Sequence, residues 1–133
     1  MAAAPVTTKI RGMSPLFLVA DIDRSIAFYT RHLGFKLDFR YEDFYCGLSR
    51  DGNTIHLKAA PTSEEERRNR RDNEHVDVTF LVEGIEGLYH EIGGKQAEII
   101  LQPLRDMPYG REFYVIDPDG YILAFLDGNH LSQ

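Results

Sequence analysis

The chain switches between two hydrophobic periodicities, and it does so twice. Residues 14–20, Ser-Pro-Leu-Phe-Leu-Val-Ala, alternate with the period of two expected of a half-buried strand. Over residues 22–33 the spacing becomes helical, with Ile22, Ile26, Tyr29 and Leu33 on one face. Asp21 stands at the N-cap position and Gly34 where the helix should stop. Three short strands are predicted next, over 35–41, 44–49 and 54–59, the last two joined at Asp51-Gly52, a strong hairpin signal. A dense charge run over 61–74, PTSEEERRNRRDNE, then interrupts the pattern. It reads as a solvated connector or short exposed helix, with a mobile lid as the alternative. After it the pattern restarts: a strand over 75–82, a helix over 85–92 stopped by Gly93-Gly94, and strands over 97–102, 111–116 and 121–126. Asp117-Pro118-Asp119-Gly120 joins the last two.

The halves match in sequence as well as in pattern. Phe17-Leu18-Val19-Ala20-Asp21-Ile22-Asp23 aligns with Phe80-Leu81-Val82-Glu83-Gly84-Ile85-Glu86, and Asp51-Gly52 with Asp119-Gly120. Two copies of a βαβββ unit follow, so the fold class is α+β, with helices covering one side of each sheet. Alternation assigns the faces. Phe17, Val19, Ile55, Leu57, Val78, Phe80, Val82, Tyr121, Leu123 and Phe125 turn toward the helices. Ser14, Leu16, Leu18, His56, Asp77, Thr79, Leu81, Ile122, Ala124 and Leu126 turn toward the other side, a mixed lining of the kind ligand cavities use.

Bulk properties narrow the function. At 133 residues the chain fits one domain. It divides into a tail over 1–12, a domain over 13–127 (modules 14–60 and 75–127 with the linker 61–74 between them) and a tail over 128–133. A net charge of −6 argues against nucleic acid as a main partner and favours a neutral or cationic ligand. The single cysteine, Cys46, excludes an internal disulfide, and its place in a strand makes it a small core residue. No apolar stretch is long enough for a signal segment or a membrane span, so the expected location is cytoplasmic, with no membrane partner.

The stretch VADIDRSIAFYTRHLGF in one half and DPDGYILAF in the other resemble the glyoxalase/bleomycin resistance/dioxygenase superfamily, the vicinal-oxygen-chelate fold, over about residues 14–127. The resemblance implies two facing βαβββ modules that form a cupped, barrel-like mixed sheet with helices on the outside, and a metal site, where one exists, with one ligand from each of four strands. Position by position those ligands fall on Ser14, His56, Asp77 and Ala124. Ala124 has no donor and Ser14 is a poor one, so the expectation is no resident cofactor, with a divalent metal as the alternative. His75, two residues before Asp77, is the candidate third donor of such a site. The absence of a metal would leave His56 and Asp77 to hydrogen-bond each other or a ligand.

Pro108-Tyr109-Gly110-Arg111-Glu112-Phe113 resembles the W-G-x-R-E-F stretch of the bleomycin-resistance-like branch, with Tyr109 in place of Trp. That branch implies a groove, often at a homodimer interface, that takes flat cationic antibiotics without changing them. The ligand-binding candidates are His56, Asp77, Tyr109, Glu112, Tyr114, Phe39 and Phe44, offering ring faces to heterocycles and acids to amines. Arg111 and Glu112 could instead form a sheet-edge ion pair. The leading reading is a metal-free small-molecule binder of the drug-sequestering type. The alternative is a metal-dependent enzyme of the superfamily, a lyase, isomerase or dioxygenase, and the catalytic residues are unassigned.

Overall fold

Leu16–Val19 forms strand β1 with its even positions exposed and Phe17 and Val19 buried, the half-buried alternation read from the sequence. The structure, a computed structural model, describes residues 7–61, 63–72, 75–94 and 96–128. Helix α1 (Ile22–His32) starts at Asp21, whose carboxylate accepts the Arg24 amide at 3.1 Å, and it buries Ile22, Ser25, Phe28 and Tyr29. Gly34, at φ +72°, lets the chain reverse into β2 (Lys36–Tyr41). Strands β3 (Tyr45–Arg50) and β4 (Asn53–Ala59) complete a four-stranded sheet in the order β1-β4-β3-β2, with β1 parallel to β4 and the rest antiparallel.

The second module repeats this. Strand β5 (Val76–Leu81), helix α3 (Ile85–Gly93), and strands β6 (Ile100–Met107), β7 (Gly110–Ile116) and β8 (Ile122–Asp127) give a sheet in the order β5-β8-β7-β6, again with only the first strand parallel. The identical strand order and sense make the repeat a structural one.

One strand differs from the sequence reading, and the charge run and tails take the forms that follow. The strand predicted to end at Gln102 begins later, after a 3-10 turn over Ala97–Ile99, and runs on through Pro103 to Met107. Its register with β7 slips twice, which is how a sheet-edge strand accommodates a proline that cannot donate. The charge run forms helix α2 (Glu64–Asp72), opened by the Ser63 hydroxyl accepting the Glu66 amide. This helix is more than a solvated connector. The Arg70 guanidinium lies 4.2 Å from the centre of the Tyr121 ring and donates to the Asp119 carbonyl at 2.9 Å. Of the expected tails, residues 7–12 are exposed without regular structure, while 1–6 and 129–133 lie outside the described residues.

The core fills the space between each sheet and its helix. Phe28, Tyr29, Leu33, Leu48, Ile55 and Leu57 fill the first module, and Ile85, Ile92, Phe113, Leu123 and Phe125 the second. Cys46 is fully buried on this side, and the loss of solvation pushes its thiol upward in pKa, which leaves it unreactive. Between the modules, the Asp117–Gly120 turn tucks under α1. The Asp117 carboxylate accepts the Tyr29 hydroxyl at 2.7 Å, and Asp119 accepts the Ala20 amide at 3.0 Å and the Ser25 hydroxyl at 3.3 Å. Among the described residues no helix is long and apolar enough to cross a membrane.

Candidate functional site

Each sheet has one side covered by helix and one left open, and the sequence-predicted residues fall on the open sides. On the first sheet His56 sits between Ile55 and Leu57, both fully buried, so it projects away from α1. Its cross-strand neighbours are Leu16 and Gly47. Because Gly47 has no side chain, the Phe39 ring lies across it and meets the imidazole edge-on at 5.3 Å. The Tyr45 hydroxyl is 2.8 Å from His56 Nδ1. Tyr41 and Tyr45 flank Phe39 at 5.7 and 6.2 Å, so four rings form one cluster. Tyr41 is 60% exposed, and Phe44 at the β2–β3 turn is also open to solvent. Ser14 reaches the strand's beginning and shares a hydrogen bond with the Thr54 hydroxyl.

On the second sheet the centre is Glu112, only 4% exposed. One carboxylate oxygen accepts Arg105 Nε at 2.9 Å and the second guanidinium nitrogen at 2.7 Å. That oxygen also takes the Tyr114 hydroxyl at 3.3 Å, and the other takes the Tyr109 hydroxyl at 2.7 Å. Arg105 lies 5.4 Å from the Tyr114 ring centre. The hydrogen bond to Glu112 raises the Tyr109 phenol and also the Arg105 guanidinium. The carboxylate is thus neutralised from within the protein. Arg105 is the residue the sequence reading misses, because it ends the strand at Gln102, three residues short of Arg105. The hairpin turn at Pro108-Tyr109 could have revealed it, since mirror pairing about that turn sets Arg105 opposite Glu112.

The Arg111–Glu112 ion pair does not form. Consecutive strand residues face opposite ways, so Arg111 goes instead to Asp106 at 2.9 Å and to Glu86 on α3.

Nor do His56 and Asp77 meet. The β5–β8 register slips between Val76 and Val78, and the Asp77 carboxylate accepts the Ile122 amide at 2.9 Å beside that irregularity. His75 lies just before β5 and is exposed. Ala124, across from Thr79 and Tyr114, is buried and has no donor. Among the described residues no three His, Cys, Asp or Glu side chains gather as a metal would need. The family's four positions therefore do not fit a divalent ion, and no chemical step is assigned to one. What the faces offer is ring area with hydroxyl and imidazole handles, suited to stacking and hydrogen bonding.

Comparison with known proteins agrees with this geometry. The family profile of the glyoxalase/bleomycin resistance protein/dioxygenase superfamily matches residues 14–125. A bleomycin resistance protein of Geobacillus stearothermophilus is 35% identical over 127 residues, covering 84% of this chain and 92% of that protein. The fold is shared with a bleomycin-binding protein from Streptomyces verticillus crystallised with copper(II)-bleomycin, at TM-score 0.66 and 21% identity over 92% of this chain and 100% of the other. It is shared equally with a glyoxalase-related enzyme from Clostridium phytofermentans, at TM-score 0.71 and 19% identity over 91% and 97% of the two chains. With repeat, topology, profile and relative in agreement, the chain belongs to the glyoxalase/bleomycin resistance protein/dioxygenase superfamily.

Proposed function

We propose that this protein sequesters a flat, cationic antibiotic of the bleomycin class, binding it reversibly and returning it chemically unchanged. The observation that carries the reading is the pair of open, aromatic-rich faces, Phe39, Tyr41, Phe44, Tyr45 and His56 on one sheet and Tyr109 and Tyr114 on the other. Rings offer stacking area to planar heterocycles. A relative that covers most of the chain is named a bleomycin resistance protein. The donor set argues against the metal-dependent alternative, because His56 and Asp77 are already engaged with Tyr45 and Ile122. We read the protein as carrying no resident cofactor and acting in the cytoplasm.

The working unit in this proposal is a homodimer. Leu16, Leu18, Phe39, Tyr41 and Phe44 are exposed together on one sheet and Leu81 and Tyr109 on the other. A monomer seldom leaves that much apolar surface open, and a two-fold axis would set each kind of face against a partner copy.

Calorimetric titration with bleomycin at two salt concentrations tests the ligand. Saturable heat is expected at about 100 µM protein or below. The net charge of −6 should make association slower as salt rises. Tyr109→Ala is expected to weaken binding through faster release. No heat with either metal-free or copper-bound drug would exclude this ligand.

A further inference from the structure

The two module junctions are related by the internal repeat, yet only one of them is filled. In the first, Tyr121 follows the turn glycine Gly120 and stacks on Phe17 at 4.3 Å and 11°. Its hydroxyl accepts the Leu18 amide at 2.9 Å, and Phe17 is left 3% exposed. In the second junction the corresponding residues are Phe80 for Phe17, Leu81 for Leu18 and Asn53, after the turn glycine Gly52, for Tyr121. Both glycines hold the same left-handed conformation, φ +80° and +87°. The glycine's conformation is repeated, but asparagine supplies no ring.

The result is a cleft of about 700 Å3 lined by Phe35, Asn53, Phe80, Leu81, Glu83 and Glu91, among others. It is separate from the His56 and Glu112 clusters. Phe80 is only half-buried here, backed by Phe125 at 5.4 Å. The turn stays clear, since a Cβ on Gly52 would meet nothing within 4 Å, whereas one on Gly120 would meet the Arg67 backbone. Arg50 joins the modules through Glu91 at 2.9 Å and holds the Leu33 carbonyl of its own module at 2.7 Å.

We propose that this cleft is a second ligand site, and that it takes a single-ring phenolic amine. The first junction states the requirements. A ring should stack on Phe80 as Tyr121 does on Phe17. A hydroxyl should reach the Leu81 amide as Tyr121's reaches Leu18's. Among the described residues that amide is available: β5 pairs only with β8, the Val82 amide is bonded to Leu126, and alternate amides of a strand point opposite ways. Charge completes the class. Asp51, Glu83 and Glu91 rim the cleft against one guanidinium, Arg50, which already pairs with Glu91 and Asp51. An ammonium group is favoured there and a carboxylate is not.

Tyramine is the probe, with 4-hydroxyphenylacetate as the same ring carrying the opposite charge. Titration followed by NMR should give saturable binding of tyramine and roughly tenfold or weaker binding of the acid. Asn53→Tyr should fill the cleft from within, abolishing tyramine binding and raising Tm. No tyramine binding to the native protein, equal binding of both probes, or unchanged tyramine binding in folded Asn53→Tyr would each overturn the proposal. Should that variant fail to fold, nuclear Overhauser contacts in the native protein decide. Contacts from the tyramine ring to Phe80 support the site, and contacts confined to Phe39 or Tyr109 overturn it.

Discussion

A carboxylate near the middle of an open sheet face looks in the sequence like a partner for a cationic ligand, and Glu112 was read so. Its burial changes the role, because a buried charge needs compensation and Arg105 with two tyrosine hydroxyls supplies it. Glu112→Gln is therefore expected to release Arg105 as an uncompensated cation. Binding of a cationic drug should weaken in that variant, and unchanged affinity in a titration would contradict the account. Asp117 is another buried acid. Two backbone amides and the Tyr29 hydroxyl bond to it, yet desolvation dominates and pushes its pKa up to about 7 from the usual 3.8. The folded value lies above the unfolded one. The stability gained from holding the proton is thus complete below the ordinary carboxylate range and lost as pH rises through about 7. Relative to Asp117→Asn, the native protein should lose stability between about pH 4 and pH 7 and hold level above that, as read by denaturant melts. A difference that stays flat would mean Asp117 remains ionised throughout. Tyr29→Phe, which strips that carboxylate of its side-chain donor, should cost about 1–3 kcal/mol in the same melts.

At the scale of elements, a paired glycine substitution measures how firmly α2 is docked. Gly120 and Gly52 share a left-handed conformation, so alanine strains both backbones alike. Only at Gly120 would the new Cβ also sit 2.7 Å from the Arg67 carbonyl oxygen of α2. Gly120→Ala should therefore destabilise clearly more than Gly52→Ala, and equal losses would mean that α2 is loosely held. This docking was not legible in the charge run, because Arg70 acts through a ring 51 residues away. Local pattern did locate β1, α1, the β3–β4 hairpin and their counterparts, since each has its own apolar period and its own turn or cap. It failed at β6, where Pro103 and Asp106 look like loop residues and only pairing with β7 makes them strand. The candidate site divides along the same line. The face of His56 follows from alternation alone, whereas the partners Tyr45 and Arg105 come from neighbouring strands whose register a sequence does not state.

For the whole molecule, the proposed arrangement is two similar modules that hold an intact drug, without a metal, across faces that a second copy completes. Fold alone cannot decide this, because the glyoxalase-related neighbour shares the architecture as fully as the bleomycin-binding one. The donor chemistry and the open aromatic faces make the difference. Native mass spectrometry of freshly purified protein, recorded with and without metal-free bleomycin, reads assembly, metal content and drug integrity at once. The expected spectrum shows two chains without a stoichiometric metal ion, and after addition the same dimer carrying bleomycin of unaltered mass. One tightly held ion per chain, or a drug recovered with a changed mass, would contradict the account and make the protein an enzyme of its superfamily.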